Sequence, residues 1–173
     1  SDVCSSDLGK ADIVHSALDN AVAMIEVAKL DVIIVMGGDG GTNEFYVQPN
    51  IKTFADLRGH NVVVDAPDTA YALLAKKILL LHGLKEGADY TIRPIGRGSM
   101  RLQAMADDQA NAAAVLNLPY TLQAEKMGLR SLGRTSDLLG PYQAGGAFVM
   151  RAWARDHAET LVRYLAAYVE ALR

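Results

Sequence analysis

The side chains able to do chemistry in this 173-residue chain gather in five short polar stretches. They are Ser16-Ala-Leu-Asp19-Asn20, Gly37-Gly38-Asp39-Gly-Gly41-Thr42-Asn43, Asp65-Ala-Pro-Asp68-Thr69-Ala-Tyr71, Gly96-Arg97-Gly98-Ser99-Met-Arg101 and Asn117-Leu-Pro-Tyr120. Together they offer hydroxyls, amides, a few charges and the approachable backbone N–H groups of glycine. That mixture suits hydrogen-bonded capture of a small molecule. Arg97 and Arg101 carry the planar fork that grips a carboxylate or sulfonate through two parallel hydrogen bonds. Each stretch also has a plainer reading. Ser16, Asp68, Thr69 and Ser99 are good helix N-caps, and the glycines of the second stretch could serve only a tight turn.

Covalent or metal chemistry finds no support. There is no Gly-x-Ser-x-Gly elbow. His15, His60, His82 and His157 are scattered, without metal-ligand spacing. His15 is expected at a strand end, within reach of the polar loops. The glycines after residue 36 are not followed by Gly-Lys-Ser/Thr, and Gly96-Arg97-Gly98 is too short for a dinucleotide fingerprint. Asp107 and Asp108 fall where a helix should end, which makes solvation their default. Cys4 is the one cysteine, so no disulfide framework or thiolate cluster forms within the chain. No nucleophile, base and orienter assemble. We therefore expect a non-enzyme without cofactor or metal. The net charge of -3 argues against a nucleic-acid binder, which would show a basic face.

The elements that must position these stretches alternate in type. Apolar runs predict strands at residues 11–15, 31–36, 44–48, 61–65, 90–94, 112–116 and 145–151. Helical periodicity predicts helices over 18–28, 69–82, 99–106, 121–127 and 156–172, the 69–82 helix being apolar nearly all round and hence well buried. Thr53-Phe-Ala-Asp56 reads as a capping box opening one helical turn that Gly59 ends. The pattern is α/β. In open α/β sheets ligands bind outside the carboxyl ends of strands, and the five polar stretches fall there.

The run Ile51-Lys-Thr-Phe-Ala-Asp56-Leu57-Arg-Gly59-His-Asn-Val-Val-Val-Asp65 resembles the "I-x-S-x-x-D-L-x-G-K-x-V-x-V" stretch of type II periplasmic solute-binding proteins, within them the SsuA/THI5-like (NMT1-like) family of ABC-transporter substrate-binding proteins. Gly9-Lys-Ala-Asp-Ile13, the helix after Asp65-Ala-Pro-Asp68-Thr69, Asn117-Leu-Pro-Tyr120 and Ala154–Arg173 resemble further segments of that family in the same order. The resemblance implies two α/β lobes joined by a hinge. Lobe one would comprise residues 9–49 and 144–173, and lobe two residues 50–143. It implies an extracytoplasmic, periplasmic protein, a monomer that captures a small organic solute by hinge closure and presents it to a membrane permease. The implied ligand contacts are Ser16, Asp19, Asn20, Gly38, Asp39 and Thr42 from lobe one. From lobe two they are Asp68, Thr69, Tyr71, Arg101 and Tyr120. Asp19, Asp39 and Asp68 offset Arg97 and Arg101, so a neutral or zwitterionic solute is expected.

The family's first strand and helix have no counterpart here, so the chain reads as entering at the third strand. Ser1–Leu8 back-translates to a common short-read sequencing adapter, and we expect those residues to be an artefact that precedes natural sequence. Two rivals share the fold. A pyrimidine-precursor synthase of the thiamine pathway would carry a cysteine-rich motif, absent here. A regulator's ligand-sensing domain would carry a helix-turn-helix.

Overall fold

The computed structural model describes residues 11–172. Cys4, Gly9 and the suspected Ser1–Leu8 leader lie outside them. The chain forms two compact units, one built from residues up to Gly40 with those from Gln143 onward, the other from Gly41–Tyr142.

Unit two carries a five-stranded sheet. Its strands are β3 (Glu44–Val47), β4 (Asn61–Val64), β5 (Thr91–Pro94), β6 (Asn111–Leu116) and β7 (Arg130–Arg134), in the order β5-β4-β6-β3-β7. β4 pairs parallel with β5 and β6, whereas β3 pairs antiparallel with β6 and β7. The expected boundary is corrected here. Residues 44–49 are expected in lobe one, but β3 is an internal strand of the second sheet because Phe45, Tyr46 and Val47 are apolar on both faces and fully buried.

The period-two alternation of these strands builds a core on each face. Phe45, Val47, Val62, Ala113 and Val115 point to one side, against Leu74, Ala75, Ile78 and Leu79 of α2 (Ala70–Leu81). Phe54 and Leu57 of a single 3-10 turn join them. Tyr46, Val63, Ala114 and Leu116 point to the other side. There they meet Leu102 and Met105 of α3 (Gly98–Asp107) and Ala124 of α4 (Tyr120–Lys126). Each fully buried Leu or Ile contributes about 1.5–3 kcal/mol.

The 3-10 turn starts as expected, with the Asp56 carboxylate accepting the Lys52 and Thr53 N–H groups at 2.9 and 2.8 Å. Gly59, at φ 79°, then reverses the chain. α2 departs from expectation. Leu73, Leu80 and Leu81 on its outer side are 41%, 55% and 56% exposed, because the sheet covers only one stripe of the helix. Three elements were not expected at all, β7, α5 (Thr135–Leu139) and α6 (Arg151–Asp156). β7 reads Arg-Ser-Leu-Gly-Arg, without an apolar run, and forms as an edge strand on β3 whose arginines face water.

Unit one carries a three-stranded sheet of β1 (Ile13–Ala17), β8 (Gly145–Met150) and β2 (Val32–Gly37), with β8 central and antiparallel to both neighbours. Val14, Val32 and Phe148 form its core with Leu18, Ala21 and Met24 of α1 (Leu18–Glu26). The last expected helix, over 156–172, is separated from α6 by His157 (φ -128°) and forms as α7 (Ala158–Ala171). Its apolar face is only partly used: Leu161 is buried, while Val169 and Leu172 remain exposed.

Candidate functional site

Unit two has a reversal in its strand order. From β4 the chain passes through α2 on one face to β5, then through α3 on the opposite face to β6, on the other side of β4. The strand order therefore reverses between β4 and β6. The helices leave their carboxyl ends on opposite faces, which is the switch point where open α/β sheets bind ligands. Asp65 follows β4 and Asn117 follows β6.

Four of the five side chains expected here gather around this point. Arg101, in the first turn of α3, is 2% exposed. Its Nη1 donates to the Val115 carbonyl at the end of β6 at 2.6 Å. Its guanidinium carbon lies 4.4 Å from the centre of the Tyr71 ring. Burial lowers its pKa, and Asp65, Tyr71 and Tyr120 oppose that shift. The Tyr120 ring lies against Gly98, where an added Cβ would fall 2.3 Å from Cδ2. The Tyr71 phenol is raised by burial, against the pull of Arg101. Thr69 is the N-cap residue of α2, yet its hydroxyl donates to the Asp65 carboxylate and accepts no helix N–H. Asp68 stands apart on the exposed outer side of the loop.

Arg101 corrects the sequence reading. A residue expected to grip a solute anion is covered, with one N–H already given to a backbone carbonyl. Asp65, which anchors Thr69 and faces both Arg101 and Tyr71, was not among the expected contacts. Its position directly after β4 was the available signal. Arg97 is exposed.

Unit one gathers its own polar set. β1 and β2 both run antiparallel to β8, so their carboxyl ends lie together beside Gly145 and Gly146. Gly146 is needed there, since a Cβ would come within 2.5 Å of the Met36 carbonyl. The segment Gln143–Gly145 ties the loops. The Ala144 carbonyl accepts Leu18 N–H at 3.0 Å, Gly145 accepts Gly38 N–H at 2.9 Å, and Ala144 N–H donates to the Asp39 carbonyl at 2.9 Å. The Gln143 side chain lies against Gly37, an approach that sequence reading missed.

Three expectations change in this unit. Ser16 is within β1, opposite Gly146, and not in a loop after it; its Oγ accepts from Asn20 Nδ2 at 3.2 Å. The Gly38 N–H is spent on Gly145 and not open for a ligand. His15 sits in mid-strand, its Nε2 2.6 Å from the Tyr164 hydroxyl and its ring stacked on Tyr168, away from the polar set. Asp19 occupies the first turn of α1, and burial raises its pKa. Thr42 is exposed and belongs to unit two.

The capping explanation fails for the residues it was offered for. α1, α2 and α3 start at Ala17, Thr69 and Arg97, none with a side-chain cap hydrogen bond. The first N–H of α1, that of Leu18, is taken by the Ala144 carbonyl instead. Among the described residues no cluster of His, Cys, Asp and Glu could hold a metal ion, and no helix is long and apolar enough to cross a membrane.

No family model and no curated protein matches the chain. Solved structures do. The alkanesulfonate-binding protein SsuA from Xanthomonas axonopodis pv. citri, bound to MOPS, is 19% identical with a TM-score of 0.76, over 94% of this chain and 55% of that one. The periplasmic aliphatic sulphonate binding protein SsuA from Escherichia coli is 24% identical with a TM-score of 0.74, over 94% and 55%. The ligand-binding component of an ABC-type import system from Staphylococcus aureus, with zinc bound, is 13% identical with a TM-score of 0.67, over 89% and 53%. The chain spans about half the length of these structures. Its fold is the α/β fold of periplasmic solute-binding proteins.

Proposed function

We propose that the protein is the extracytoplasmic solute-binding component of an ABC-type importer. It captures a small organic solute and delivers it to a membrane permease. The observation that carries this reading is the fold correspondence. Two α/β units, the second inserted between the two segments of the first, follow binding proteins over 94% of the chain at a TM-score of 0.76. Each unit adds polar groups at the carboxyl ends of its strands: Ser16, Asp19, Asn20 and Asp39 in one, Asp65, Thr69, Tyr71 and Tyr120 in the other. Capture by closure of two lobes requires the solute to contact both, since only differential contacts can favour a closed state. Each set mixes hydroxyls with charge, which supports a neutral or zwitterionic solute. The sulfonate-binding proteins among the similar structures make sulfonates the first class to try.

A thermal-shift screen tests the reading, using sulfonates including MOPS, small anions, pyrimidines, amino acids and aromatic acids. A solute at a hundred times its Kd stabilises the native state by about 2.7 kcal/mol. A rise in Tm with one chemical class is the expected outcome. No rise with any class would overturn solute capture.

A further inference from the structure

Arg101 is the one charged side chain among the buried polar residues described, and nothing so far explains why a charge is placed there. It has no carboxylate within ion-pair distance among the described salt bridges, and its buried Nε has no hydrogen-bond partner. A buried, unpaired cation is costly, and an apolar side chain of similar volume is often tolerated as well or better. Packing alone therefore does not account for it. Direct contact with a solute does not either, because the guanidinium is covered. What the guanidinium does meet is the face of Tyr71 and the last part of β6. It links α3, α2 and the end of β6 at the point where the strand order reverses.

We infer that Arg101 is a positioning residue: its buried guanidinium holds the Tyr71 ring in place from behind, and the Tyr71 and Tyr120 phenols, not Arg101, meet the solute. The inference rests on the solute-capture reading for its purpose, but its geometry can be tested without any solute. A flat cation over an aromatic face is favoured by the ring quadrupole, more so where water is excluded. The Val115 carbonyl fixes the plane of the guanidinium through Nη1. Tyr71 is thereby kept from swinging across the loop that follows β4. Tyr120, packed against Gly98, supplies the second phenol beside the same charge.

Nuclear magnetic resonance on the whole chain tests this through two signals. In protein labelled with 13C at the tyrosine ring, and assigned with Tyr71→Phe, the Tyr71 phenol is titrated. The charged or titratable groups facing it are Arg101, Asp65 and Tyr120, and only Arg101 lowers its pKa. Arg101→Met should therefore move the Tyr71 titration to higher pH. An unchanged or lower titration overturns the contact. In the unaltered protein the Arg101 Nε–H should exchange slowly with water and be shifted upfield by the Tyr71 ring current, a shift lost in Tyr71→Leu. Exchange as fast as in free arginine would make Arg101 a solvent-facing gripping residue and overturn the inference, and this readout stands if Arg101→Met does not fold. If no solute is ever found, both signals remain readable, so failure of the binding reading and failure of this one are separate results.

Discussion

The two units solve the same problem with unequal means. Unit two sandwiches its sheet between helices on both faces, so strands such as Phe45-Tyr46-Val47 and Val62-Val63-Val64 are apolar at every position. Unit one has three strands and a single small core of Val14, Leu18, Ala21, Met24, Val32 and Phe148. Its exposed apolar residues include Val22, Val27, Ile34, Val162, Val169 and Leu172. Burial scales with the number of covered faces, so unit two should hold most of the stability and unit one should open first. Both units nonetheless place polar groups at their strand ends, so the site chemistry does not depend on the unit's own stability.

Truncating the core of each unit should produce the largest effects. Phe45 and Phe148 are both fully buried, and Phe→Ala at such positions costs about 3–5 kcal/mol. Unit two should absorb Phe45→Ala and remain folded. Among the described residues Phe148 is the only aromatic in the core cluster of unit one, so Phe148→Ala should unfold that unit, bringing the β1 and β8 amides to near-unfolded rates of hydrogen exchange. The β4 and β6 amides should keep their protection. If Phe148→Ala lowers protection equally in β4 and β6, the units melt together and the comparison fails.

Two glycines sharpen the contrast on a smaller scale. A Cβ at Gly146 would meet the Met36 backbone carbonyl, which cannot turn aside, whereas one at Gly98 would meet the Tyr120 ring, which can. Gly146→Ala should therefore destabilise unit one by roughly 1–3 kcal/mol or more, as overpacking does. Gly98→Ala should cost less and instead displace Tyr120. Denaturant melts give the first comparison, and the environment of the Tyr120 ring resonance gives the second. A Gly98→Ala variant with Tyr120 unmoved and stability strongly reduced would show that the ring is rigidly held.

What was legible in the sequence follows from these differences. The strands of unit two were plain because burial on both faces leaves continuous apolar runs, as at Val62–Val64 and Ala112–Leu116. Arg130–Arg134 was invisible, since an edge strand needs only the neighbour's hydrogen bonds and not an apolar run. The short helix at Arg151–Asp156 was hidden because none of its residues is buried, so no apolar stripe marks it. At the site, loop position predicted which residues gather, namely Thr69, Tyr71, Arg101 and Tyr120. It could not predict which way they face. Whether Arg101 turns out to a solute or back onto Tyr71 is decided by the space left between α2, α3 and β6, a tertiary property. Similarly, the Gly38 N–H read as open because its acceptor, Gly145, lies more than a hundred residues away in the chain.

The smallest expected effect is also the one that links stability to function. Asp19 sits in the first turn of α1, where the helix dipole favours a negative charge. Its pKa is nevertheless raised, so burial outweighs the dipole. A carboxyl whose folded pKa lies above its unfolded value binds protons more tightly when folded. Stability is then lost as pH rises from the ordinary value of 3.8 through the raised one, and the full cost is present at neutral pH. Asp19→Asn, nearly the same shape without the charge, should raise the melting temperature of unit one at pH 7, and the gain should vanish below the ordinary carboxyl range. A lower melting temperature at pH 7 would mean that the charge is stabilised by a partner, contrary to the burial argument. If the gain appears and the variant also binds solute more weakly, Asp19 is a charge kept at a cost to the less stable unit because the ligand uses it.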